Sequence, residues 1–128
     1  MSLKSGYFKK HLHVDLTNGS AERRDLPDAF IERYIGGRGF GAKLVWDNMR
    51  RHDFKIDSLG AENLLVIAPG PLTGVYLPAS GKTSFVAIPP ATGLYGDSSN
   101  GGSSGRELPQ MGLDGPPISR RAPHLSII

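Results

Sequence analysis

The chain has 128 residues and a net charge of +3, with 38% hydrophobic and 21% charged residues, which suits one soluble domain. It has no cysteine, which excludes disulfides, thiolate zinc sites and any iron–sulfur cluster held by this segment alone. No apolar run is long enough to span a membrane. The basic residues are scattered without interleaved aromatics, which argues against a nucleic-acid stripe.

From Lys10 to Leu16, polar and apolar residues alternate, which predicts a half-buried strand. Thr17-Asn18-Gly19-Ser20 predicts a two-residue Asn-Gly hairpin turn, since both positions tolerate positive φ, with residues 21–25 as the return strand. His11 and His13 fall on one face of the first strand. Two imidazoles at that spacing can bind a metal, but without a third ligand nearby they read as surface residues.

Asp25-Leu26-Pro27 opens a helix, with proline where a missing N–H costs nothing. Gly36-Gly37 ends it, and a second helix runs from Arg38 to Arg51-His52, whose basic end suits a helix C-terminus. After an irregular connection at 53–62, Leu64–Ala68 reads as a fully buried strand. A Gly/Pro/Ser-rich loop at 70–82 leads to a strand from Thr83 to Ile88. A glycine-dense loop then extends from Thr92 to Gly105, followed by a short helix to about Met111. The predicted fold class is α+β: a β-hairpin and mixed sheet with two helices and long Gly/Pro-rich loops.

Gly81-Lys82-Thr83 invites comparison with a phosphate-binding P-loop, but the required glycine five residues earlier is Tyr76, and a strand follows instead of a helix. Gly37-Arg38-Gly39-Phe40-Gly41 departs from the dinucleotide fingerprint in spacing and follows a helix, so it reads as an inter-helix turn. No nucleophile triad or paired carboxylates stand out. What remains is backbone: glycine loops around one strand, with Lys82 at its start. Those loops are either plain turns or an anion-binding concavity of main-chain amides, to which Lys82 adds a point charge.

Several blocks occur in order. They are Val14-Asp15-Leu16-Thr17-Asn18-Gly19, Tyr34-Ile35-Gly36-Gly37-Arg38-Gly39, Glu62 to Gly74 with Ala68-Pro69-Gly70-Pro71, Pro90-Ala91-Thr92-Gly93, and Gly101-Gly102. Together, over about residues 6–115, this succession resembles the start of the aldehyde ferredoxin oxidoreductase family. The resemblance implies that the chain is a single, truncated N-terminal domain of a longer cytoplasmic enzyme, forming a base for a tungsten bis-pterin (molybdopterin-type) cofactor. It implies magnesium at the two pterin phosphates, a [4Fe-4S] cluster supplied by later domains, aldehyde oxidation to carboxylic acids, and electron transfer to ferredoxin. Lys82 matches a basic position that contacts the pterin, often Arg in the family. Gly101 matches a glycine of the cofactor loop, and the family's asparagine falls on Ser99, or on Asn100 after a one-residue shift.

Departures cluster at the end. Ser103-Ser104 replace an aromatic, Pro109 interrupts a helix, Pro116-Pro117 stand where an apolar strand is expected, and Arg121 lies close to a usual turn glycine. Residues 103–128 are therefore expected to be poorly folded or unconventionally paired. The fragment itself is expected to lack turnover and to self-associate through apolar surface. The alternative reading is a non-catalytic structural or assembly module with the same fold and no cofactor.

Overall fold

A computed structural model describes residues 6–75 and 77–124. Six strands form one mixed sheet: β1 (Lys10–Asp15), β2 (Ser20–Asp25), β3 (Leu64–Pro69), β4 (Thr83–Ala87), β5 (Gly96–Asn100) and β6 (Pro117–Ser119), in the order β2-β1-β6-β3-β4-β5. Three helices accompany it: α1 (Asp28–Tyr34), α2 (Arg38–Arg51) and α3 (Ser104–Gln110). Among the described residues, only the β1–β6 pairing is parallel.

The hairpin forms as expected, but its loop is longer than two residues. Asp15 pairs with Ser20, leaving 16–19 to turn, and among these only Gly19 has positive φ, at 62°. Asp15 shapes the loop: its Oδ1 accepts from the Thr17 and Asn18 amides, and its Oδ2 from the Asn18 side chain. Pro27 sits just before α1 as its cap instead of inside it.

Helix α2 packs on β3 and β4. Leu26, Ile31, Phe40, Val45, Leu64, Val66, Ala68, Val86 and Ile88 form the core between the helices and the sheet. Each fully buried side chain here, such as Val66, contributes about 1.5–3 kcal/mol relative to exposure. β3 is not covered on both faces as its apolar run suggested. Leu64, Val66 and Ala68 face α2 and are buried, whereas the intervening Leu65 is 36% exposed.

The glycine-dense segment contains an unforeseen edge strand. Gly96–Asn100 has no apolar alternation, yet it pairs along the whole of β4 through its backbone. The tail, expected to be poorly folded or unconventionally paired, supplies β6, inserted between β1 and β3, with residues 113–118 buried; residues 125–128 lie outside the described residues. Proline is tolerated there because the ladder asks these residues to accept. The Ile67 amide donates to the Pro116 carbonyl at 3.0 Å, and Pro117 is the first residue of its strand. Asp114 secures the insertion. Its backbone amide donates to the Lys10 carbonyl at 2.7 Å, while its carboxylate accepts from the Phe8 and Lys10 amides. The residue with turn-glycine backbone is Arg120, at φ 69°, one place before the position that sequence spacing indicated.

Candidate functional site

Lys82 lies at the entry to β4, and β5 runs antiparallel beside it, with Ser84 opposite Ser99 and Thr83 opposite Asn100. Side chains alternate along a strand, so Ser84, Ser99 and Gly101 share the face that α2 covers. Thr83 and Asn100 take the other face. The structure therefore gathers Lys82, Ser99 and Gly101 and separates Asn100 from them. A Cβ at residue 101 would lie 3.8 Å from the Lys82 ammonium, so the bare glycine backbone lies directly beside that charge. Lys82 is exposed, and no carboxylate pairs with it among the described residues.

Close backbone approach surrounds Lys82. Before β4 and after β5 the chain crosses itself closely: a Cβ at Gly81 would come within 2.5 Å of the Gly102 carbonyl oxygen. Thr73 ties the 70–73 turn to this crossing. Its hydroxyl donates to the Lys82 carbonyl at 3.0 Å and accepts from the Gly70 amide at 2.9 Å. Below, Gly37 brings the start of α2 to the same face, its missing side chain directed at the Ser84 hydroxyl at 3.4 Å. Arg38, the first residue of α2, pairs with Asp97 on β5. The Tyr95 phenol beside them is held above its ordinary range, first by burial and then by the Asp97 charge.

The expected concavity of free amides across 92–102 is smaller than the glycine pattern implied. The Thr92 and Gly93 amides turn back to the Pro89 carbonyl, and residues 96–100 enter the β5 ladder. The open part is its end, from Gly101 to Ser103, beside Lys82. Sequence reading missed Thr73, Ser84 and the Arg38–Asp97 pair. The spacing of the Gly-Gly-Arg-Gly turn marked Arg38, but nothing local announced its partner 59 positions later.

This end of the β4–β5 ladder brings together an ammonium, bare glycine backbone and a close chain crossing. It does not itself form a metal site. Among the described residues, no three His, Cys, Asp or Glu side chains come together to hold a metal ion. No helix among them is long and apolar enough to cross a membrane.

Residues 11–128 match the family described as aldehyde ferredoxin oxidoreductase, N-terminal domain. A tungsten-containing aldehyde ferredoxin oxidoreductase from Pyrococcus abyssi is 35% identical over 93% of this chain, which spans 19% of that protein. An aliphatic sulfonate oxidoreductase, WOR-like subunit, from Pyrococcus furiosus is 38% identical over 85% of this chain and 17% of its own length. Among solved structures, a chain of the active-site complex BamBC of benzoyl coenzyme A reductase, in complex with 1,5-dienoyl-CoA, superposes with a TM-score of 0.87 at 32% identity. That match covers 94% of this chain and 18% of the other. The chain thus spans about a fifth of the length of these relatives. Its six-stranded mixed sheet, its glycine crossing and its match over nearly every residue together assign it to the aldehyde ferredoxin oxidoreductase N-terminal domain family.

Proposed function

We propose that this chain is the cofactor-holding base of a tungsten-dependent aldehyde oxidoreductase. The observation that carries the reading is the unpaired Lys82 ammonium beside the bare Gly101 backbone. When bound, the tungsten bis-pterin supplies the redox chemistry. The residues here bind and orient it. Lys82 sets a point charge against a phosphate oxygen, without the two-pronged fork that an arginine brings. Gly101, Gly102 and Ser103 offer main-chain amides, and Ser99 stands on the same face. Asn100, on the opposite face, is the weaker candidate for the family's asparagine. Magnesium at the pterin phosphates, the [4Fe-4S] cluster, ferredoxin docking and a cytoplasmic setting belong to the same proposal, with the cluster ligands contributed by other parts of a longer polypeptide.

The relatives are named for aldehyde, aliphatic sulfonate and benzoyl-CoA chemistry, yet a segment of each matches most of this chain. That pattern suits a segment that holds a shared cofactor and leaves substrate choice to the remaining chain. The competing reading, a structural module without cofactor, drew on the proline-rich departures, and β6 forms across them.

The test uses the intact polypeptide encoded across and beyond codon 128, produced with tungstate. Wild type should carry tungsten and a fluorescent pterin oxidation product. Lys82→Ala should lose most of both. Gly101→Ala should fold normally, because its new methyl meets only ordinary contact distance at 3.8 Å, and yet should load poorly. Absence of tungsten from the wild type, or full loading of both variants, refutes the assignment.

A further inference from the structure

At the other end of the sheet from Lys82, a cleft of about 260 Å3 lies between α2 and strands β1, β2 and β6. It shares no residue with the Lys82 site. His11 and His13 enter it from β1, and Arg51 and Asn48 from α2, with Ser119 of β6 on its floor.

The acidic groups around this cleft are already engaged. Asp25 is paired with Lys10 at 2.9 Å and Asp47 with Lys43 at 2.5 Å. Arg24 is held by Glu22, its Nε and Nη2 both donating to the same carboxylate oxygen. Arg120, near His13, is paired with Asp15 at 2.9 Å. Two groups are left over. Among the described residues, Arg51 has no carboxylate partner and the buried His11 Nδ1 has no hydrogen-bond partner. The unmatched groups of the cleft are thus the Arg51 guanidinium and the His11 imidazole, with the His13 imidazole beside them, and both imidazoles can gain a proton. Burial, then Arg24, then His13 hold His11 toward its neutral form. Burial and Arg24 do the same for His13, against the opposing Asp15 and Glu22 charges.

A cation is disfavoured here by Arg24 and Arg51 and by the lack of a third close ligand. An oxyanion answers each unmet group. It accepts from the guanidinium fork, and its charge favours the protonated imidazoles against the burial and the Arg24 repulsion that hold them neutral. We propose that this cleft binds one small oxyanion, gripped by Arg51 and by His11 and His13, which take up protons as it binds.

Sulfate is the probe, because it stays a dianion from pH 8 to pH 5.5. The 128-residue chain is titrated with it while the imidazole resonances are followed by NMR, and calorimetry in buffers of different ionisation enthalpy counts protons. Affinity should rise as pH falls, approaching about tenfold per pH unit for each coupled imidazole, with net proton uptake. Arg51→Gln should weaken this pH-dependent binding at least tenfold, and His11→Gln, which keeps bulk and polarity, should flatten its slope. Binding of sulfate at Lys82 would show no such slope and would vanish in Lys82→Gln, so the two sites fail independently. Binding without pH dependence, binding retained in a folded Arg51→Gln, or imidazole shifts produced by zinc and not by sulfate would overturn the proposal. The wild-type pH slope and proton count need no variant, so misfolding of a variant leaves the test decisive.

Discussion

The contact between α2 and β4 offers a sharp test of how the core positions the site. A Cβ at residue 41 would lie 2.7 Å from Val86 Cβ and closer still to its Cγ2. Ordinary carbon–carbon contact is about 3.5–4.0 Å, so Gly41→Ala forces α2 and β4 apart by roughly 1 Å. Val86 is fully buried and cannot swing away. Overpacking of this kind costs about 1–3 kcal/mol, against a gain of up to about 1 kcal/mol in helix propensity. We expect a net loss of about 1–2 kcal/mol. Val86→Ala alone removes two methyl groups and leaves a void, for a loss of about 2–3 kcal/mol. In the double variant the Cγ2 clash is gone while the residue-86 Cβ stays at 2.7 Å, so the combined loss should fall short of the sum by up to ~1 kcal/mol. Urea unfolding of the four proteins, read by fluorescence of Trp46 and by circular dichroism, measures the cycle. Strict additivity would mean that α2 does not seat on β4 through Gly41.

Asp114→Ala should destabilise by about 1–3 kcal/mol, because the Phe8 and Lys10 amides lose their acceptor; hydrogen exchange should quicken first at β6 and the start of β1. Stability should also fall on acidification. The folded pKa values of His11 and His13 lie below the ordinary imidazole value, so the unfolded chain binds more protons. Their contribution is intact above about pH 6.5 and is lost as pH drops through that value toward the folded ones. A flat urea midpoint between pH 7.5 and 5.5 would contradict this. Arg120→Gly should stabilise slightly, by up to about 1 kcal/mol. It relieves a left-handed backbone at φ 69° and gives up only a half-exposed ion pair to Asp15, and a loss above 1 kcal/mol would show that the pair dominates. The uncovered sheet face around Leu65, with exposed Leu59 nearby, should drive self-association of the isolated chain. A monomer by sedimentation at all concentrations, with no dye-binding apolar surface, would count against it.

Local pattern determined much of this protein. The alternation at 10–15, the Pro27 start and Gly36-Gly37 stop of the first helix, the basic end of α2 and the apolar runs of β3 and β4 each carry a local signal, so their elements were legible residue by residue. Lys82 and Gly101 were legible as a cation and a bare backbone. Only the tertiary structure decided that they meet, that Ser99 joins them, and that Asn100 faces away. It also decided the two strands that propensity opposes. Gly96–Asn100 has no apolar face and Pro117–Ser119 is three residues long and begins with proline. Their conformation is imposed by unpaired backbone groups on β4, β3 and β1, which no local window of sequence contains.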